Sequence, residues 1–403
     1  EVESPQRAAL PRWRGELYFE MHRGTFTSQA RTKVGNRRCE EALRAAELWC
    51  ATAGDDRHAE RLDALWKRVL TQQFHDILPG SSIAWVHEDA EREHAEVLSE
   101  LEEITTVVLA GISGAVPAVA NPCSTPRREV IATTAAPPEG GPVQELADGS
   151  SAFMADVPAM AVVEAVSAPT TEHVRVEQDA PDGSIRMTNQ LVDLTISVEG
   201  DITSLVHLGQ GREVVPRDRC SAVLSLAPDT PVEYDAWDLE QWTAARSIPL
   251  PPAQSVEVLE PGPLVAAVVV HRSFGDSTVA ETITMRSGSS RVDISLDIDW
   301  HEREKLLTID FPLDVSTNSA ACEVQFGHEY RPTHRNTTWD DAKFEVCAQR
   351  WVDYSEPSFG TAILNDGRYG HALQDGGCLL YTSDAADEHR DVLFWVGGGA
   401  VKK

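Results

Sequence analysis

The sequence predicts an α+β multidomain protein in which a three-helix bundle precedes a large antiparallel β-sandwich. Two patterns carry this reading. Between Asn36 and Gly111 apolar residues return every three or four positions, the period of amphipathic helices. Beyond Thr171 they alternate instead, with turn residues between the runs. At 403 residues the chain is long enough for two or three domains and a substantial core.

In chain order, Glu16 to Glu20 is a short apolar run that reads as a strand. The loop His22-Arg23-Gly24-Thr25 follows, either a turn capped by its Thr or a surface presenting His22 and Arg23 to a polar ligand. Cys39, Leu43, Ala46 and Trp49 mark the first helix, closed by Gly54. Leu62, Leu65, Trp66, Val69 and Phe74 mark the second. Ile83, Val86, Ala90, Val97, Leu101, Ile104 and Val108 mark the third, with Ser81 and Ser82 as N-cap candidates. His87 and His94, beside Glu88 and Glu91, read as part of its solvated face. Pro, Ala, Val and Thr dominate from Gly111 to Thr171, punctuated by Pro117, Pro122, Pro126, Pro137 and Pro138. The runs at 191–198, 264–270, 282–285, 292–298 and 306–311 are the strands expected of the sandwich.

Formal net charge is −29, from 64 acidic and 35 basic residues. Such a surface repels phosphate backbones and anionic bilayers, which argues against nucleic acid and membrane partners. No apolar run approaches the roughly 18 residues of a membrane span. The seven cysteines are odd in number and form no CxxC pair, which fits a reducing, cytoplasmic setting better than a disulfide framework.

The stretch Gln73-Phe74-His75-Asp76-Ile77-Leu78-Pro79-Gly80-Ser81-Ser82 sets an imidazole beside a carboxylate where a helix is broken by Pro-Gly. A neutral imidazole suits zinc or cobalt, and the adjacent carboxylate can bind polyol hydroxyls or support the ion. The plainer readings of His75 are a helix cap or a solvated side chain, and one ligand alone holds no catalytic metal. The run Tyr330 to Asp340, dense in Arg, His, Asn and Trp, is either a sugar cradle or a hydrogen-bonded loop that locks the sandwich. Asp235-Ala236-Trp237-Asp238 carries the same two readings, as a packed turn or a binding loop.

In this order, the segments Gly15 to Thr27, Gln73 to Ser82, Asp235 to Asp238, Phe326 to His328, Arg331 to Thr337 and Leu364 to Gly370 resemble family 38 glycoside hydrolases, the retaining α-mannosidases, in their cytosolic and bacterial branch. The resemblance covers nearly all of Trp13 to His371. It implies the end of a (β/α) barrel over 1–35, a three-helix bundle over 36–112 and a galactose mutarotase-like β-sandwich over 113–377. It also implies that His75 ligates a catalytic divalent ion, zinc or cobalt, one per active site. Asp76 and, less directly, His22 would bind the sugar. The substrates implied are mannose-containing oligosaccharides, cut at terminal α-mannosyl residues through a glycosyl-enzyme; a homo-oligomer would be in keeping with the family.

Retaining hydrolysis needs two carboxyl groups about 5 Å apart. No acidic residue here lies in a segment matching either role, so no catalytic residue is assigned. Nucleophile and acid/base are expected in an N-terminal part beyond this chain, leaving this polypeptide alone inactive. The rival expectation is a non-catalytic carbohydrate-binding or scaffold protein. Cys378 to Glu388 resembles the translated read-through of a sequencing-library adapter, so 378–403 is expected to stand outside the fold.

Overall fold

A computed structural model of the chain describes residues 12–18, 20–114, 116–178, 180–373, 376–382 and 388–397. Three helices form the bundle: α1 (Ala30–Ala53), α2 (Ala59–Gln72) and α3 (Ala84–Ser113). Cys39, Leu43, Ala46 and Trp49 of α1 meet Leu62, Leu65 and Val69 of α2 and Val97, Leu101, Ile104 and Val108 of α3 in one core. The predicted apolar stripes are therefore the buried faces. Gly54 ends α1 at φ 63°, where a residue without Cβ enters the left-handed region most freely.

Helix α1 starts at Ala30 rather than Asn36, and its first two turns pack on the start of α3 through Thr32 and Gly35. Phe74 lies beyond the end of α2 and is exposed. The N-cap of α3 is Ile83, with no side-chain cap; Ser81 and Ser82 bond to Asp76 instead.

The two α3 histidines reverse the solvated-face expectation: both are 2% exposed. Positions 87, 90, 94, 97, 101, 104 and 108 are one continuous three-four seam, and the histidines occupy its N-terminal end. Nδ1 of His87 lies 3.2 Å from Oγ1 of Thr32. His94 packs on Gly35 so closely that an added Cβ would fall 2.5 Å from its Nδ1. Neither ring nitrogen of His94 has a partner among the described residues, and burial lowers its pKa. Leaving such groups dry costs stability. His94→Leu is therefore expected to stabilise the protein by about 1 kcal/mol at pH 7. A folded-state pKa below the ordinary value of about 6.5 means stability drains away as pH falls below it, so the variant's acid-side decline should also be shallower. Urea unfolding at pH 7 and pH 5 tests this; a variant weaker than wild type at both would overturn it.

The β domain opens with two small sheets inside the Pro-rich stretch. Ala118–Asn121 pairs with Ala161–Glu164, and Ser151–Val157 pairs with both Arg127–Thr133 and Val143–Glu145. The sandwich proper is built from three larger antiparallel sheets. A five-stranded sheet runs from Arg212–Glu213 through Ile202–His207, Val192–Ile196 and Ile185–Thr188 to Arg175–Glu177. A six-stranded sheet centres on Lys305–Pro312, flanked by Val223–Pro228 and Gly377–Thr382. The nine-stranded sheet includes the hairpins Val265–Phe274, Ser277–Arg286 and Arg291–Asp299. Inward residues of all three, such as Met187, Leu194, Leu224, Ile283, Ile294 and Phe311, share a single core.

Two expectations are corrected here. The stretch 378–403 was expected outside the fold, yet its described parts are strands. Gly377–Thr382 lies between Lys305–Pro312 and Gly370–Ala372. Glu388–Gly397 fills the middle of the nine-stranded sheet, between Arg291–Asp299 and Phe359–Asn365. Residues 383–387 and 398–403 fall outside the description. At the other end, Glu16 to Glu20 forms no strand: among the described residues of 1–35 there is only the 3-10 turn Arg23–Phe26 and the start of α1, and no barrel strand. Residues 1–11 and Phe19 lie outside the description. The segment is instead held to the β domain. Arg331 donates to both carboxylate oxygens of Glu16, Tyr18 donates its hydroxyl proton to the carbonyl of Glu345, and Trp13 stacks on Trp339 at 5.4 Å. Among the two readings of the Tyr330 to Asp340 run, its Arg331 thus serves the locking one.

Candidate functional site

Three turns from distant parts of the chain converge ahead of α1. The first is Arg23–Phe26. Its backbone is fixed by the second, at 234–238: the N–H of Gly24 donates to the carbonyl of Trp237 (2.9 Å), and the N–H of His22 donates to Oδ1 of Asp238 (3.0 Å). The His22 ring meets the Trp237 ring edge-on at 4.4 Å. His22 sits at φ 63°, a strained setting for a residue with a side chain, held by these contacts. A Cβ on Gly24 would meet the carbonyl oxygen of Asp238 at 3.0 Å, so a larger residue here would have to push the 237–238 backbone back. Arg23 does not join His22 in facing a ligand, contrary to one reading of the loop. It is buried, donates to the Tyr18 hydroxyl (3.1 Å) and to the carbonyls of Glu20 (2.7 Å) and Ala342 (2.9 Å), and lies over the Phe344 ring. Thr25 caps the turn by donating to the His22 carbonyl at 2.6 Å.

The third turn is Gln73 to Ser82. Gly80, at φ +92°, lies flush against Ser28, whose carbonyl oxygen would be 2.7 Å from an added Cβ. Lys33 joins the two segments. It is 2% exposed, and its ammonium donates to the carbonyls of Ser28, Leu78 (3.0 Å) and Pro79 (3.1 Å). Burial pulls its pKa down to about 7, aided by the nearby charge of Arg368.

Within this turn, Ser81 donates to Oδ1 of Asp76 (3.0 Å) and Ser82 to the Asp76 carbonyl (2.7 Å). Nε2 of His75 lies 3.5 Å from Oδ2 of Asp76, and its ring stacks on Phe74 at 4.1 Å. The His75 side chain is 77% exposed, and Phe74, the ring it packs on, is an exposed apolar group. The structure therefore packs the turns of His22 and His75 against one another through Ser28 and Gly80, while the His75 ring faces outward.

A zinc ion takes three or four protein ligands. Among the described residues no three of His, Cys, Asp and Glu converge on a point. His75 and Asp76 offer donors of the right chemistry, but the described residues do not make a complete cage.

Sequence reasoning missed Lys33, Glu345 and His371. Glu345 is fully buried beneath the first turn, with Oε1 2.5 Å from where a Gly370 Cβ would stand. Burial drives its carboxyl well above the ordinary range, opposed by the charge of Arg23. His371 is also buried, and burial lowers it to about 4. All three lie outside the runs read for periodicity, and nothing in the local sequence marks a single polar residue there as buried.

With this geometry established, comparison with known proteins is informative. Residues 20–112 match the family model "Alpha mannosidase middle domain", and residues 187–380 match "Glycosyl hydrolases family 38 C-terminal domain". Alpha-mannosidase G of Dictyostelium discoideum is 34% identical over 92% of the chain, and Alpha-mannosidase 2C1 of Homo sapiens is 33% identical over 90%. The chain spans 39% and 36% of the length of these two relatives. A solved structure of a family 38 protein from Enterococcus faecalis superposes with a TM-score of 0.72 at 12% identity, covering 97% of this chain and 59% of that one. Bundle, sandwich and intervening turns are thus those of the later domains of a glycoside hydrolase. The chain belongs to glycosyl hydrolase family 38.

Proposed function

We propose that this chain supplies one wall of the active site of a retaining α-mannosidase acting on terminal α-mannosyl residues of mannose-containing oligosaccharides. The observation supporting this most directly is the convergence of the His22, His75 and Trp237 turns, each fixed by backbone hydrogen bonds or glycine packing. His75 serves as one ligand of a divalent ion, zinc or cobalt, whose other ligands come from outside the described residues. That ion, when bound, supplies Lewis acidity toward sugar hydroxyls. The chain's own residues do the positioning. Ser81 and Ser82 hold Asp76 so that its second carboxylate oxygen is available to accept from a mannose hydroxyl. The Trp237 ring and the His22 ring set edge-on against it form a partly apolar wall suited to lie against a sugar face. The exposed Phe74, Ile83 and Trp85 are the surface on which the rest of the site is built. A cytoplasmic location accords with seven cysteines that are all free thiols; no helix among the described residues is long and apolar enough to cross a membrane.

The test uses the complete protein. His75→Ala is expected to lower bound metal and to cut turnover of an aryl α-mannoside at least a hundredfold, in line with losses seen when metal shells are broken. This polypeptide alone is expected to show no turnover. Full metal occupancy in the variant, or hydrolysis by the isolated chain, would refute the assignment.

A further inference from the structure

A second feature lies beside the His75 turn, on its α1 side. A groove of about 1020 Å³ runs between α1, the residues Gln73, Leu78 and Pro79, and the hairpin tip 323–327. Pockets for small ligands span about 300–1,000 Å³, so this one has room for several sugar units. Its lining mixes apolar side chains with charged ones, and the charges balance. Along α1, Arg37 and Arg44 alternate with Glu40 and Glu47; across the groove Arg350 pairs with Glu323 at 3.1 Å.

These groups are held in place. Gln73 donates to Oε1 of Glu40 (2.7 Å), the Trp66 indole donates to Oε1 of Glu47 (2.8 Å), and Arg37 is fixed by the carbonyls of Asn365 (2.6 Å) and Gln349 (2.5 Å). Fixed donors and acceptors of both signs, with no excess charge, suit a neutral polyhydroxylated ligand better than an ion. At the mouth stands Phe326, fully solvent-exposed at 110% and at φ 62°. Phe326 is the second residue of the two-residue turn joining Ser319–Val324 to Gly327–Pro332, which sets its left-handed backbone and carries its ring outward. An aromatic face beside fixed polar groups is the composition of a sugar-binding surface.

We infer that this groove is an extended subsite for the part of an oligosaccharide remote from the bond cut, with Phe326 stacking on a sugar ring. The inference rests on the α-mannosidase reading for the identity of the sugar, and the experiment separates the two. Binding of a mannose oligosaccharide to the chain is measured by NMR titration for wild type, Phe326→Ala and His75→Ala. In parallel, the complete protein carrying Phe326→Ala is assayed on the oligosaccharide and on an aryl α-mannoside too short to reach the groove. Expected are binding by wild type and His75→Ala, weakened about tenfold in Phe326→Ala, and a rise in KM of the same order for the oligosaccharide alone. No oligosaccharide binding by wild type, equal effects on both substrates, or a Phe326→Ala variant that changes only oligomeric state would overturn the subsite. Loss of aryl mannoside hydrolysis on His75→Ala is read independently and bears only on the active-site reading.

Discussion

Lys33→Met is expected to destabilise the protein by about 3 kcal/mol and to loosen the His75 turn. The native ammonium donates to three carbonyls, and bonds from a charged donor are worth about 1.5–3 kcal/mol each, set against the cost of keeping the charge dry. Methionine fills the space and leaves three acceptors unmet. The effect is local before it is global. Leu78 and Pro79 lose their tie to α1, so exchange of the Ile77, Leu78 and Gly80 amides should accelerate more than exchange in the bundle core. The pH dependence has a defined sign. A folded-state pKa of about 7 lies below the usual lysine value of 10.5, so the unfolded chain holds the proton more firmly between them. Wild type should therefore gain stability relative to Lys33→Met as pH rises from 7 toward 10.5. Unchanged exchange at Ile77, Leu78 and Gly80, or parallel pH profiles, would show that the lysine is not the anchor.

Arg272→Met should cost about 3–5 kcal/mol, the usual penalty for stranding a buried charge. Arg272 lies on the inner strand Val265–Phe274, 3% exposed, and donates to Oε2 of Glu281 (2.8 Å), Oδ1 of Asp201 (2.9 Å) and the carbonyl of Glu199 (3.0 Å). Glu281 is 1% exposed, and burial pushes it up to about 7 despite its partner. Without the guanidinium that carboxyl must take up a proton to stay inside. The double variant Arg272→Met/Glu281→Leu removes donor and acceptor together and should recover most of the loss. Urea midpoints of wild type and the two variants decide it. A single substitution costing less than about 1 kcal/mol, or a double variant no better than Arg272→Met, would show that the pair bears little weight.

Much of the fold was legible because it depends on local periodicity. The stripes Cys39-Leu43-Ala46 and Val97-Leu101-Ile104 and the alternating strands around Ile283 and Ile294 bury the faces their spacing predicts. The errors arose where a residue's class and its position disagreed. His87 and His94 were read from their chemistry and their glutamate neighbours, although steps of seven carry straight on to Leu101 and Val108. The reading of Arg23 as a ligand-facing group follows from its charge, whereas its donors are consumed by Tyr18 and by the carbonyls of Glu20 and Ala342. The resemblance of 378–388 to an adapter read-through sets 388–397 outside the fold, but pairing with two strands needs only backbone groups and suitable neighbours. As for the site, the His-Asp pair at a Pro-Gly break was visible. Its adjacency to residues 22–28 and 234–238 was not, because those contacts span up to 216 positions and are made largely by main-chain atoms that sequence patterns do not mark.

The first turns of α1 belong to two domains at once. Arg37 donates to the carbonyls of Asn365 and Gln349, Arg38 pairs with Asp366, and Val34 crowds Gly367 from within van der Waals range. The ties gather within residues 34–38, so a change that loosens this stretch of α1 would reach the bundle and the sandwich together.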